Sequence, residues 1–366
     1  MSTNSSEEKL LTQSPFNPEQ PELPKKKYHI AWQGNGTNFL SAITKKEIET
    51  ARAEQISLFG KEEGYNKPVR VVEGEVLYIL PPGMKESGRT TQIMRYLTSK
   101  YTEAAKQAYT PEEKDKARYV ELTVKEISEK FKMADPKAIK AMATAEIDIL
   151  TEMWVEWFEY VYYDDGQTNK KKKSLNKEHH RLRLIGYVTE TVPAGHEERS
   201  KAQLFKRGKV RVRIDEDFAK YLQNRYIMAI PDNFYAIVPK KNPCSVAFYD
   251  KIMTHYRSNV DKSNQNIIKI KTLIERTDIP RYEDIKEKGK INQLIFTPFE
   301  RDMDKLQELE LIKKWDYCKP NGVPLTKAER QKMTYQEFIS YDIFFLMPDD
   351  YPAMQPIALP AGESDQ

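Results

Sequence analysis

Between Tyr119 and Arg213 the spacing of apolar residues changes from a helical period to strict alternation, and that switch limits the folds open to this chain more than any other feature. YVELTVKEISEKFKMADPKAIKAMATAEIDIL reads as two short helices separated by a tight corner. Thr123 opens the first with a capping box that Glu126 closes three residues later. Asp135 and Pro136 open the second, because Asp accepts from free N–H groups and Pro suits the first helical turn. Ile139, Ala143, Ile147, Leu150 and Trp154 then recur at helical spacing and are expected inside, which leaves Lys137, Lys140 and Thr144 outside. WFEYVYYDD, HHRLRLIGYVTETV and GKVRVRI read as the strands that follow. In the last, Val210, Val212 and Ile214 share one face and the Arg side chains take the other. RTTQIMRYLTSKYTEAAKQAY supplies an earlier helix with Ile93, Met94 and Leu97 inward. Helices closed by a strand hairpin are the parts of a winged helix.

Charge suggests what such a unit touches. The 366 residues hold 59 Lys and Arg against 55 Asp and Glu, a formal net charge of +4. That balance favours a polyanion only where the basic groups cluster. They cluster at Lys170, Lys171, Lys172 and Lys173, from Lys177 to Arg183, and at Lys206, Arg207, Lys209, Arg211 and Arg213. The expectation is that Lys137, Lys140 and Thr144 approach a major groove while Lys170 to Lys173 and Arg211 reach backbone phosphates. The competing reading of the helix face is ordinary solvation, and of the lysine run, a solvated wing tip.

The same grammar returns further along. After a corner at Asn242, Pro243, Cys244 and Ser245, VAFYDKIMTHYRSN reads as a helix and IIKIKTLIERTDI as the next. TPFERDMDKLQELE is expected to start at Thr297 and Pro298 with Glu300 as the capping acid, and KKWDYCK and FISYDIFFLMP to pair as strands. Lys288, Lys290, Asn292 and Gln293 precede that third helix, while Arg301 and Lys305 lie on its polar side. The cations suit phosphates and the two amides suit base edges. Asp302, Asp304 and Glu308 would repel phosphates from the same helix, so a protein-contact role competes.

The organisation expected is α+β: tandem winged-helix domains with disordered termini. Residues 1–27 form a polar tail, 28–84 an N-terminal extension, 85–238 and 243–347 the two units, and 348–366 a flexible tail. No run of roughly 18 apolar residues is present, so no membrane partner and a cytoplasmic location are expected. Catalytic chemistry finds little footing. His179 and His180 are adjacent rather than spaced as a ligand pair, Asp164 and Asp165 fit a turn, and Cys244 and Cys318 lack close partners. No catalytic residue, metal site or cofactor is expected. Gly34 and Gly36 lack the Gly-Lys-Ser/Thr of a phosphate loop and read as a turn. Twenty-one Tyr and 14 Phe are expected mainly in the core.

The repeat joined by NFYAIVPKKNPCSVAFYDKIMTHYRSN resembles the plasmid replication initiator proteins that bind iterated origin sequences through two winged-helix domains. The resemblance spans roughly residues 90–347 and is closer in the second half. There IIKIKTLIERTDIPRYEDIKEKGKINQLIFTPFERDMDKLQEL is similar to the segment that leads into the family's long helix. The first half departs from a compact unit, since its wing is long and carries the lysine run. The resemblance implies origin recognition on double-stranded DNA, opening of DNA with host replication proteins, and a monomer–dimer switch. A winged-helix transcriptional regulator shares the same signals, and a DNA nickase or relaxase requires the His and acidic residues to converge.

Overall fold

The computed structural model describes residues 28–33, 43–59, 67–73, 76–82, 84, 87–164, 173–183, 185–189, 208–223, 226–275 and 277–352. Residues 1–27 and 353–366, the glycines at 34 and 36, Lys170 to Lys172, and Lys206 and Arg207 lie outside them. The first residues of the expected C-terminal tail, 348–352, lie within them, and there Tyr351 O–H donates to the Ala229 carbonyl at 3.3 Å. The fold class is α+β.

The early strands and helices are β1 (Tyr28–Gln33), α1 (Lys45–Phe59), β2 (Val69–Glu73) and β3 (Val76–Leu80), followed by α2 (Gly88–Ala105) and α3 (Pro111–Ala117). Next come β4 (Tyr119–Thr123), α4 (Val124–Phe131) and α5 (Pro136–Glu152). The long hairpin strands β5 (Trp154–Asp164) and β6 (Lys173–Arg183) precede β7 (Ile185–Thr189) and β8 (Lys209–Ile214). Strands β4, β8 and β7 form one antiparallel sheet with β8 central. Val120 and Leu122 of β4, and Val210, Val212 and Ile214 of β8, are buried on one face beside Ile93, Met94 and Leu97 of α2.

Two sequence expectations are corrected in this half. Tyr119–Thr123 is a strand, not the start of a helix: its short alternation buries Val120 and Leu122, and Thr123 then caps α4. Trp154 does not continue the helical stripe of α5 either. Burial continues through Ile139, Ala143, Ile147 and Leu150, but Met153 leaves helical geometry and Trp154 begins β5. There its half-buried ring lies under the guanidinium groups of Arg181 and Arg183, 5.4 and 4.5 Å from its centroid.

The strands on either side of the lysine run also fall elsewhere than expected. Strands β5 and β6 do not join the wing; they extend a second sheet in the order β2-β3-β5-β6, and Lys173 faces Asp164 in register at the end of that hairpin. The early strands therefore pair with later ones: β3 with β5, and β1 with β9 (Tyr226–Pro231), reached after α6 (Glu216–Gln223).

The second half shares the sheet order of the first with different insertions. Helix α7 (Ser245–Ser258) leads to β10 (Ile267–Lys269), α8 (Ile270–Ile274), a single turn at Tyr282–Ile285, α9 (Thr297–Glu308) and β11 (Lys314–Cys318). Two small helices, α10 (Lys327–Gln331) and α11 (Tyr335–Ser340), then precede β12 (Asp342–Leu346). The sheet order is β10-β12-β11, again with the last strand central. With α3 and the β5–β6 hairpin set aside in the first half, and α10 and α11 in the second, helix, strand, helix, helix, strand, strand with that sheet order occurs in both halves.

The halves meet around α2. This helix is buried on nearly every side, polar residues included, because the first sheet, β1, α5 and α7 all pack on it. Arg95 of α2 and Asp250 of α7 are 1% and 5% exposed and form an ion pair at 2.7 Å across the junction. The Arg95 guanidinium also lies 5.9 Å from the centre of the Phe234 ring, on the connecting turn. Gln92 Nε2 donates to the Phe234 and Ile237 carbonyls of that connection, at 2.8 and 3.2 Å. Gly88 lets the chains approach closely: a Cβ there would lie 3.0 Å from Pro239 Cβ, tighter than ordinary van der Waals contact.

Candidate nucleic-acid interface

In the first half, three local devices aim α5. The box formed by Thr123 and Glu126 is complete, and Lys100 Nζ donates to the same carboxylate at 2.8 Å. Burial pushes the Glu126 carboxyl up, but these donors outweigh it and hold the group below its ordinary value. Lys132 then reverses the chain in the left-handed region, φ 52 and ψ 44, with its N–H donating to Ser128 O. Finally Asp135 Oδ1 accepts from the Lys137 N–H at 2.9 Å, with Pro136 in the first turn.

Of the three residues expected on the outer face, Lys137 is exposed and Lys140 and Thr144 are half-buried. The most open line down α5 runs through Lys137, Ala141 and Ala145. Neither Lys137 nor Lys140 forms an ion pair among the described residues. The basic strand β8 differs. Lys209 and Arg211 face Glu121 at 3.1 and 4.0 Å, and Arg213 meets Asp115 at 3.2 Å. Opposite charges on β4 and just before it thus compensate the arginine stripe, and its attraction for a phosphate is correspondingly reduced.

In the second half the expected start of the helix is wrong. The chain is already helical at Ile291 and passes through a π-turn at Asn292–Phe296 before α9. Pro298 explains this: it has no N–H for the usual bond to the fourth residue back, and a wider turn, in which Thr297 N–H reaches Asn292 O, accommodates it. Thr297 is therefore inside the helix and makes no cap, and Glu300 accepts from Tyr317 O–H at 3.1 Å instead.

That extra turn places Asn292 and Gln293 in the first turn of the helix, both exposed, with Lys290 exposed just before them and Thr297 exposed one turn on. Lys288 ends a short 3-10 turn at Lys286–Lys288, and Gly289 follows at φ 59, a left-handed conformation that suits glycine. Arg301 and Lys305 are already engaged: Arg301 Nε donates to Asp302 at 2.8 Å and Lys305 Nζ meets Glu308 at 2.7 Å. The feared acids are mostly occupied too. Asp302 is fully buried and accepts from Cys244 N–H at 2.6 Å and Asn242 Nδ2 at 3.3 Å, tying α9 to the start of α7. Asp304 accepts from Trp315 Nε1 at 3.0 Å.

Sequence reasoning passed over Thr297, which it treated as a cap, and Lys132, whose left-handed backbone has no glycine to announce it. Among the described residues no group of three or more His, Cys, Asp or Glu could hold a metal ion, and no helix is long and apolar enough to cross a membrane.

No family model matches the sequence. No curated protein matches it. Among solved structures, a selenomethionine form of domains 2 and 3 of RctB aligns at 11% identity and a TM-score of 0.33, covering 66% of this chain and 77% of that one. A second structure of the same RctB domains gives 10% identity and a TM-score of 0.34, covering 66% and 76%. Likeness at that level is no basis for assigning a function.

Proposed function

We propose that this chain is a sequence-specific double-stranded DNA-binding protein that initiates replication of a plasmid or mobile element by recognising its origin. Residues 85–238 and 243–347 act as two winged-helix units on one duplex. One observation carries the reading: in both halves the third helix of the shared order begins with exposed or half-buried polar side chains that have no ion-pair partner among the described residues. Lys137 and Lys140 supply charge in the first unit; Lys290, Asn292 and Gln293 supply charge and amide groups in the second. A helix presented from its N-terminal turn is how helix-turn-helix proteins reach base edges.

Two units locked together by the buried Arg95 and Asp250 pair suit a long or iterated site, because binding by one fixes a high local concentration of the other. That favours an origin over a short promoter element, and it agrees with the initiators that the sequence resembles. The activity proposed is binding and opening of DNA in the cytoplasm, without strand scission. Host replication proteins and a second copy of the chain are its proposed partners.

The test is footprinting of the intact protein on fragments tiled across its own replicon, paired with a replication assay of the Lys137→Ala/Lys140→Ala and Asn292→Ala/Gln293→Ala variants. Protection of a long or repeated site and loss of origin-dependent replication are expected. Protection limited to a promoter, with replication intact, would establish the regulator reading. Nicking of supercoiled DNA with added divalent ions would establish the nickase.

A further inference from the structure

We propose that Lys132, at the turn between α4 and α5, is a phosphate contact of the first unit; this rests on the DNA-binding reading above. Lys132 stands at φ 52 in the left-handed region, where the Cβ of an L residue crowds the backbone and glycine sits at lower cost. Its side chain is exposed and forms no hydrogen bond or ion pair among the described residues, so no contact within the protein offsets that cost. The turn itself is held by backbone and neighbours: Lys132 N–H and Met133 N–H both donate to Ser128 O, and Ser128 Oγ donates to Met133 O at 2.6 Å. A glycine would keep all three bonds.

The second unit shows what the turn looks like when conformation alone is served. Its left-handed residue before the third helix is Gly289, where a Cβ would meet nothing within 4 Å, and the lysines stand on either side at Lys288 and Lys290. Asp261 and Glu310 also have positive φ, but they follow α7 and α9, outside the turn that leads to the third helix, and carry the opposite charge. The first unit alone places an amine on the turn residue itself, three residues before the Asp135 cap of a helix whose first turn also exposes Lys137. A phosphodiester oxygen of the duplex is the ligand that geometry accepts. Its recognition is independent of base sequence.

The proposal predicts opposite signs for stability and binding in one variant. Lys132→Gly is expected to raise the urea midpoint of the full chain while weakening binding several-fold at low salt, equally on the footprinted site and on an unrelated duplex of the same length. The slope of log K against log salt should fall by about 0.9, one phosphate contact. Lys132→Gln keeps the Cβ and loses the charge, so it should lose the same affinity with no rise in midpoint. Lys132→Arg should retain binding. If the glycine and glutamine variants bind with unchanged affinity and slope while Lys137→Ala binds more weakly, the contact is refuted and the DNA-binding reading stands. A lowered midpoint in Lys132→Gly refutes the strain argument. If the intact wild-type protein retains neither duplex, both readings fall.

Discussion

The two halves share one sheet order, yet they present their third helices differently. In the first, α5 starts sharply at Asp135 and Pro136 with Lys137 exposed and Lys140 half-buried; the neighbouring β8 cations are paired with Glu121 and Asp115. In the second, Pro298 sits inside the helix, the π-turn extends it backwards, and two amides come to the front while Arg301 and Lys305 are held by Asp302 and Glu308. On the proposed function the first unit contributes chiefly the salt-dependent part of binding and the second the sequence-dependent part. The same fold can therefore divide anchoring from reading, depending on which side chains the helix start leaves without partners.

The comparison is broken most completely by cutting the joint. Arg95→Ala or Asp250→Ala leaves one buried charge alone, and each should cost about 3–5 kcal/mol in urea denaturation. The Arg95→Met/Asp250→Leu double variant should recover most of that stability. If each single variant instead lowers stability by less than 1 kcal/mol, the pair does not couple the halves.

The next effects separate anchoring from reading. Asn292→Ala/Gln293→Ala should remove about 1–3 kcal/mol of discrimination between the footprinted site and a scrambled duplex, with little change in salt slope. Lys137→Ala/Lys140→Ala should do the reverse, lowering the slope by up to about 1.8 and weakening both duplexes alike. Competition binding across a salt series measures both. Swapped signatures would assign the two roles to the opposite units.

Much of this was legible in the sequence, for reasons that differ by residue. Ile139, Ala143, Ile147 and Leu150 are buried because a helix stripe needs only its period to be read. The capping chemistry of Thr123 and Asp135 is equally local. Strands β4 and β10 were not legible: each runs without a break into a helix, α4 and α8, and their partners β8 and β12 lie far along the chain. The assignment of β5 and β6 to a sheet with β2 and β3 depends on pairing across the whole of α2 to α5, which no local pattern encodes. Nor could sequence tell that Arg211 would find Glu121 while Lys137 found no acid, since both read as basic residues near a hairpin. At Pro298 the local rule misled, because a proline that usually opens a helix here is absorbed by a π-turn.

The smallest effect expected compares the capping boxes of the two halves. Thr123 with Glu126 and Thr326 with Glu329 have the same reciprocal bonds, but the first is part-buried beside Lys100 and sets the direction of α4 into the proposed DNA-binding turn. The second caps the small helix α10, where the Lys319 ammonium holds the exposed Glu329 carboxyl down at about 2. Thr123→Ala should therefore cost about 1 kcal/mol and loosen DNA binding, whereas Thr326→Ala should leave DNA binding unchanged. The acid limb gives the sign. Because the folded-state value of Glu126 is depressed, its contribution is present above the ordinary carboxylate range, about pH 4.3, and is lost as pH falls through the depressed value. Urea midpoints taken through that range should converge for wild type and Glu126→Gln as acid removes the charge that distinguishes them. Parallel curves would show that the carboxylate at Glu126 adds nothing to the first unit beyond its shape.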